Sequence, residues 1–307
     1  MRRLSAIAFL AIVPSFAQSG AQLQSGPPLP HKLVADWAKL PKGWNFGECA
    51  GLAVDKDDSV WVVNRGQRPV IQLDRNGNVL QSWGDGLFKS VHAITLDSDG
   101  NPWIVDVLGH VLFKFNREGR VQLVLGARQG VAGNNDSKEE FNQPSKIAFA
   151  PSGDFFVSDG YVNSRVVKYN KRLEYLQHWG RKGKADGEFD LVHDVILDSR
   201  NRVYVADRAN ARVQIFDMNG KFLGKWTHAG SPYGLVYAAK EDAIYMCDGL
   251  NGRIVKLNTD GQILGVLGSP GRIPGGLTAA HQIAVDSRGD IYVAEIRNWR
   301  VQKFAKP

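Results

Sequence analysis

One short segment recurs six times along this chain. WVVN (61–64), WIVD (103–106), FVSD (156–159), YVAD (204–207), YMCD (245–248) and YVAE (292–295) are versions of it, ending at Asn64, Asp106, Asp159, Asp207, Asp248 and Glu295. Those end residues stand 42, 53, 48, 41 and 47 positions apart. A unit of this length built from short strands cannot bury its apolar faces alone. Arranged around a ring, neighbouring units bury them for one another, which is the logic of propeller blades.

The surroundings of the segment repeat as well. An apolar strand comes first (GLAVD, AITLD, KIAFA, DVILD, GLVYA, QIAVD), then a turn such as DSDGN (97–101) or DSRGD (286–290), then the aromatic-led segment. In four units an Asn-x-Arg stretch comes next (NSR 163–165, NAR 210–212, NGR 251–253, NWR 298–300) and leads into a third strand such as VVKY or VQIF. A second turn opens a fourth strand, as in MNGKFLGKW. Four strands in each of six units predict an all-β chain, a six-bladed β-propeller. The 33 glycines serve its turns, and the 8 Trp and 14 Phe serve its strands. The sixth unit stops after its third strand, VQKF (301–304), while LVADWAKL (33–40) looks like the outer strand VLQSWGDG (79–86). Residues 33–40 are therefore expected to complete blade six, joining the two ends of the ring and covering an open strand edge.

The chain starts MRRLSAIAFLAIVPSFAQ: two arginines, an apolar stretch, then small residues. That is the pattern of a secretory signal peptide, too short to cross a membrane. The expected organisation is a signal peptide over 1–17, a flexible segment over 18–32 and the propeller over 33–307, in a secreted or periplasmic protein. Formal charge falls from +7 to +5 without Arg2 and Arg3, and the remaining Lys and Arg are spread through the units. Nothing in that distribution points to nucleic acid or a membrane surface. The two cysteines, Cys49 and Cys247, exclude a disulfide framework and a cysteine-built metal ribbon. They fall in units one and five, which are not neighbours, and this weighs against a bridge between them.

Where repeated units build the frame, chemistry is sought at the positions that depart from the repeat. Just before each innermost strand stand Ala50, His92, Ser145, His193, Tyr233 and His281. Histidine in blades two, four and six alone sets three imidazoles roughly 120° apart around the central channel. Three such ligands with a fourth position open suit zinc. His31, His110, His178 and His228 lie outside this column and read as packing or surface residues. A second column, the residues after each aromatic-led strand, is Arg65, Val107, Gly160, Arg208, Gly249 and Ile296, with Tyr161 next in blade three. Hairpin geometry puts it at the same end as the histidines. Arg65 and Arg208 are either solvated charges or a pair that grips a carboxylate, and Tyr161 is either a packed aromatic or a catalytic phenol. Arg165, Arg212, Arg253 and Arg300 recur from blade to blade and read as architecture.

At these residues the chain resembles a known family. Its units resemble NHL-type propeller repeats, and its departures from them resemble the zinc-dependent peptidyl-α-hydroxyglycine α-amidating lyases, which split a peptidyl-α-hydroxyglycine into a peptide amide and glyoxylate. The likeness runs over about residues 45–306. It is densest in VHAITLDSDGNPWIVDV (91–107), FFVSDGYVNSRVVKY (155–169), FDLVHDVIL (189–197) and YVADRANARVQIF (204–216). It implies that His92, His193 and His281 hold zinc, that Tyr161 in Ser-Asp-Gly-Tyr acts as base, and that Arg65 and Arg208 anchor the carboxylate of a small-molecule or peptide substrate. It also implies a calcium ion held by the backbone carbonyls of Cys49 and Ile94 and by the side chain at 282. The family carries aspartate there, whereas Gln282 offers an oxygen without the charge. The family's cysteine after the tyrosine is Val162 here. The hydroxylated substrate is expected to come from another protein, and the expected state is a monomer. Two other readings stay open: a non-catalytic NHL-repeat propeller that binds a protein or another ligand, and a lactonase-like propeller. The second would hold calcium with acidic and amide groups, whereas the first column has three histidines and no carboxylate.

Overall fold

The computed structural model describes residues 23–126 and 131–307; the expected signal peptide, 1–17, lies outside them. Six four-stranded antiparallel sheets form the ring. Blade one runs outward from the channel as Cys49–Val54, Val60–Asn64, Val70–Leu73 and Val79–Trp83. The other inner strands are Val91–Leu96, Pro144–Phe149, Val192–Leu197, Pro232–Ala238 and Ala280–Val285. Each inner strand touches the inner strands on both sides, so six of them enclose one axis.

The repeated segment is the second strand of every blade, and its residues are buried throughout. Its last residue is a buried clamp. Asp106 accepts from the backbone N–H of Lys89 and Ser90, Asp159 from Asn142, Asp207 from Asp190, Asp248 from Ser231, and Asn64 from Gly47. Glu295 does the same for Thr278. The recurring arginines then pair with this clamp: Arg165 with Asp159 at 2.9 Å, Arg212 with Asp207 at 2.7 Å, Arg253 with Asp248 at 2.9 Å and Arg300 with Glu295 at 2.6 Å. A carboxylate with no exposure needs such partners, because an unpaired buried charge costs several kcal/mol. These arginines are architecture, as their recurrence predicts. The apolar core lies between blades: Leu52, Val62 and Ile71 of blade one pack on Tyr292, Ala294 and Val301 of blade six. Cys49 and Cys247 are both buried and unbridged.

Blade six is completed from the other end of the chain. Its fourth strand is Lys32–Val34, antiparallel to Arg300–Ala305 with Leu33 opposite Phe304. The strand is shorter than the expected 33–40, because Asp36 adopts a positive φ of 49° and turns the chain away. The residues beyond this turn fasten blade one instead. Trp37 packs edge-on against Tyr292 at 5.0 Å and donates through Nε1 to Arg75 O, and Lys39 donates from its backbone to Gly77 O. The segment 33–40 thus closes the ring by touching both sides of the seam. Nor is all of 18–32 flexible. Leu29 N–H donates to Val266 O, and Val266 N–H to Pro27 O, so this stretch runs along the outer strand of blade five. The unpaired edge of that strand supplies the partners.

Candidate metal centre

Each inner strand is broken near its start by a β-bulge, and the first sequence column falls on it. In blade two Val91 pairs with Asp106 and Ala93 with Val105, leaving His92 out of register. The same slip isolates Ala50, Ser145, His193 and His281, and in blade five it includes Tyr233. The column therefore lies within the inner strands, one residue inside their starts. A bulged residue leaves the alternation of the strand and can be aimed elsewhere. Here it is aimed at the axis.

The ligand nitrogens of His92, His193 and His281 all lie within 4.8 Å of one another. Their ring centroids form a nearly equilateral triangle, with sides of 4.9, 4.7 and 4.7 Å. Each ring is held by the next blade. His92 Nδ1 donates to Ser145 O at 2.6 Å, His193 Nδ1 to Tyr233 O at 2.5 Å, and His281 Nδ1 to Ala50 O at 2.5 Å. The three acceptors are the column residues of blades three, five and one. A carbonyl can only accept, so each Nδ1 carries the proton and each Nε2 turns a bare lone pair to the centre.

Tyr161 reaches the triangle from blade three. Its hydroxyl lies 3.0 Å from His92 Nε2 and 2.9 Å from His193 Nε2. Gly160 permits this approach: a Cβ at that position would meet Val192 O at 2.1 Å. Burial pushes the Tyr161 phenol above its ordinary range, and the charges of Arg208 and Arg65 pull it back. Arg208 lies over the ring of Tyr233, 3.8 Å from its centroid, and donates through Nη2 to the Tyr233 hydroxyl at 2.8 Å. Arg65 donates through Nε to Val91 O at 3.1 Å and pairs with Glu48 at 2.7 Å, both side chains partly open to solvent. Val107 and Ile296 share the second column with no polar contribution.

Whether a metal fits can be decided by counting protons. Three lone pairs face one another, and the one hydroxyl between them can donate to a single nitrogen. His281 Nε2, fully buried, has no hydrogen-bond partner among the described residues. The imidazoles do not solve this by protonating. Burial, followed by the His281 charge, holds His92 and His193 well below the usual range, and burial pulls His281 down to about 3. Neutral imidazoles with converging lone pairs and an orphaned acceptor among them suit a soft-to-borderline divalent cation.

The implied calcium ligands meet a different occupant. Lys146 Nζ, on the inner strand of blade three, donates to Gln282 Oε1 at 3.0 Å and toward Ile94 O at 3.4 Å. Cys49 opens the inner strand of blade one, before the bulged column, with its thiol turned to Gly47 O. Glu48, Tyr233 and Lys146 are the residues whose roles a reading of the sequence missed. Tyr233 stood in the first column without a role, and Glu48 carried no signal because it lies in the loop before a strand.

Comparison with known proteins agrees with the repeats. The NHL repeat family matches residues 141–169 and 189–216. The chain is 30% identical over 313 residues to peptidyl-glycine alpha-amidating monooxygenase B of Xenopus laevis, a match that covers 88% of this chain and 35% of that protein. It therefore spans about a third of the length of that relative. It is 25% identical to a probable peptidyl-alpha-hydroxyglycine alpha-amidating lyase of Caenorhabditis elegans, covering 83% and 82% of the two chains. NHL repeat-containing protein 3 of Homo sapiens is 28% identical, covering 89% and 84%. Among solved structures, a streptogramin B lyase superposes with a TM-score of 0.62 at 15% identity, over 86% of this chain and 95% of that one. A gluconolactonase from Xanthomonas campestris gives 0.66 at 13%, over 95% and 99%. At those identities the likeness is one of fold. The chain is a six-bladed propeller with NHL repeat matches in its third and fourth blades, and it resembles the peptidyl-α-hydroxyglycine α-amidating lyases. No helix among the described residues is long and apolar enough to cross a membrane.

Proposed function

We propose that this chain is a secreted zinc-dependent lyase that breaks the C–N bond of a carbinolamide bearing a carboxylate, giving an amide and glyoxylate. The observation that carries the reading is the triangle of three neutral imidazoles with a tyrosine hydroxyl wedged against two of them and arginines at its rim. Zinc on the three Nε2 atoms would supply a Lewis acid that acidifies a nearby hydroxyl.

The protein's own groups do the rest. The carbinolamide hydroxyl loses its proton to Tyr161 Oη, its oxygen electrons form the new C=O, and the C–N electron pair leaves on nitrogen. Nitrogen takes a proton, which the same phenol can return, so the reaction is redox-neutral and needs no co-reactant. Tyr161 must carry phenolate character to begin this. The charges of Arg208 and Arg65 favour that, against burial. Arg208, braced by Tyr233, and Arg65 would hold the carboxylate and fix its orientation before the bond breaks. Glu48 occupies Arg65 in the meantime, a carboxylate where the substrate's carboxylate would sit.

A second reading is favoured by the NHL repeat-containing protein 3 match, which covers most of both chains. It makes this a propeller that binds without catalysis. One preparation separates the two: metal content of the purified protein, and glyoxylate release from α-hydroxyhippurate. Zinc near one per chain with release supports the lyase. Zinc without release means a different metal-dependent reaction, and protein without zinc or release returns the binding propeller.

A further inference from the structure

Directly after the bulged column comes another ring of six: Gly51, Ala93, Lys146, Asp194, Gly234 and Gln282. Three of these are the smallest residues available, and three are polar and buried. There is no room for more side chains on the small ones. A Cβ on Gly51 would come within 2.9 Å of Ala93 Cα, and one on Gly234 within 2.6 Å of His281 O.

The polar three form one chain of hydrogen bonds. Lys146 Nζ donates to Gln282 Oε1, and Gln282 Nε2 donates to Asp194 Oδ2 at 3.1 Å. Asp194 is completed by the backbone N–H of Val195 at 2.7 Å and of Leu235 at 2.9 Å. An amide suits position 282 because it accepts on one side and donates on the other, linking ammonium to carboxylate. One positive and one negative charge share the layer, so it is neutral overall. Below it the inner strands open into a cavity of about 330 Å³ lined mainly by apolar residues, including Leu52, Ile147, Val195 and Ile283.

From this geometry we infer that the Lys146 ammonium is the resident cation beneath the metal triangle, taking the Ile94 carbonyl and Gln282 oxygen that calcium would otherwise hold, so that this protein is built without calcium. The residues present do not fit the ion. Calcium prefers six to eight oxygens with carboxylate charge among them, whereas here a side-chain cation already stands on two of the expected three groups, and the carboxylate of this layer, Asp194 of blade four, is taken up by two backbone N–H groups and Gln282. Gln282 and Lys146 then act as one unit, the amide linking the ammonium to the Asp194 carboxylate. The inference does not depend on the lyase reading, since its test reads calcium and stability and never turnover.

The test is metal analysis and thermal melting of the zinc-loaded protein in resin-treated buffer, with and without millimolar calcium. The expected result is no stoichiometric calcium and an unchanged Tm. One calcium per chain, or a Tm that climbs with added calcium, overturns the inference. The double variant Lys146→Met/Gln282→Asp strips the ammonium and leaves two buried carboxylates. It should bind one calcium and gain about 5–10 °C when the ion is supplied at a hundred times its Kd. A double variant as stable as the parent without calcium would also overturn it, because the layer would then need no cation. Should the double variant fail to fold, the wild-type arm still decides.

Discussion

Tyr161→Phe tests the centre with the smallest change available. It removes one oxygen and leaves the ring, whose edge-on contacts with His92 at 5.1 Å and His193 at 5.5 Å persist. What is lost is the group that sits 3.0 and 2.9 Å from two Nε2 atoms. A positioned acid-base group contributes about 10²–10⁴ in rate, so kcat for glyoxylate release should fall by that factor, about 2.7–5.5 kcal/mol in the barrier. KM should hardly change, because Arg65 and Arg208 remain. Zinc content should stay at the wild-type level, because the phenol is not among the three ligands. In the metal-free protein the lost hydrogen bond should lower stability by about 1 kcal/mol, and in the zinc form by less, since the nitrogens then have their partner. The assay pairs steady-state kinetics on α-hydroxyhippurate with metal analysis of the same sample. A kcat within about threefold of wild type, with zinc in place, would refute the base role. Loss of zinc together with activity would refute it too, since the hydroxyl would then be holding the site together.

Two further outcomes concern the frame. Trp37→Ala removes a side chain only 4% exposed at the seam between blades six and one, and should cost about 3–5 kcal/mol in urea denaturation; a cost near zero would mean that the seam is held by the short Lys32–Val34 strand alone. Glu241 links blade five to the end of the chain. Burial raises its carboxyl, but hydrogen bonds from Lys256, Lys306 and Tyr245 outweigh this and hold it down to about 2. With the folded value below the unfolded one, its stabilisation is full above the ordinary glutamate range, near pH 4.3, and is lost as pH falls toward 2. Wild type should therefore lose about 1 kcal/mol more than Glu241→Gln between about pH 5 and pH 2, after allowance for solvent screening. Parallel losses in the two proteins would show that the cluster adds nothing.

Much of the ring was legible because a propeller writes its fold down six times. Comparing the copies separated clamp residues such as Asp207 and Arg212, which recur, from His92, His193 and His281, which alternate. Other parts were hidden for physical reasons. A bulge has no residue signature, so the column read as lying before the strands, whereas it lies inside them and is aimed by the slip in register. The acceptors that orient the imidazoles are backbone carbonyls of Ser145, Tyr233 and Ala50, and any residue has a carbonyl. Glu48 reaches Arg65 from a loop, and loops carry no period. The Lys146–Gln282–Asp194 chain was within reach: reading the next position round the ring would have shown three polar residues among three small ones.

The hydrogen bond from His281 to Ala50 O joins the last blade to the first. It is the one ligand-orienting contact that crosses the place where the two ends of the polypeptide meet. Binding of an ion by the three imidazoles and closure of the ring would therefore share a thermodynamic cycle. A seam that opens releases the third imidazole from its orientation and weakens the grip on the ion. By reciprocity, an ion bound to all three nitrogens favours the closed ring by the same factor. A metal bound there would in this sense be a clasp, and the ends of the chain, which supply none of the three nitrogens, would belong to the affinity of the site.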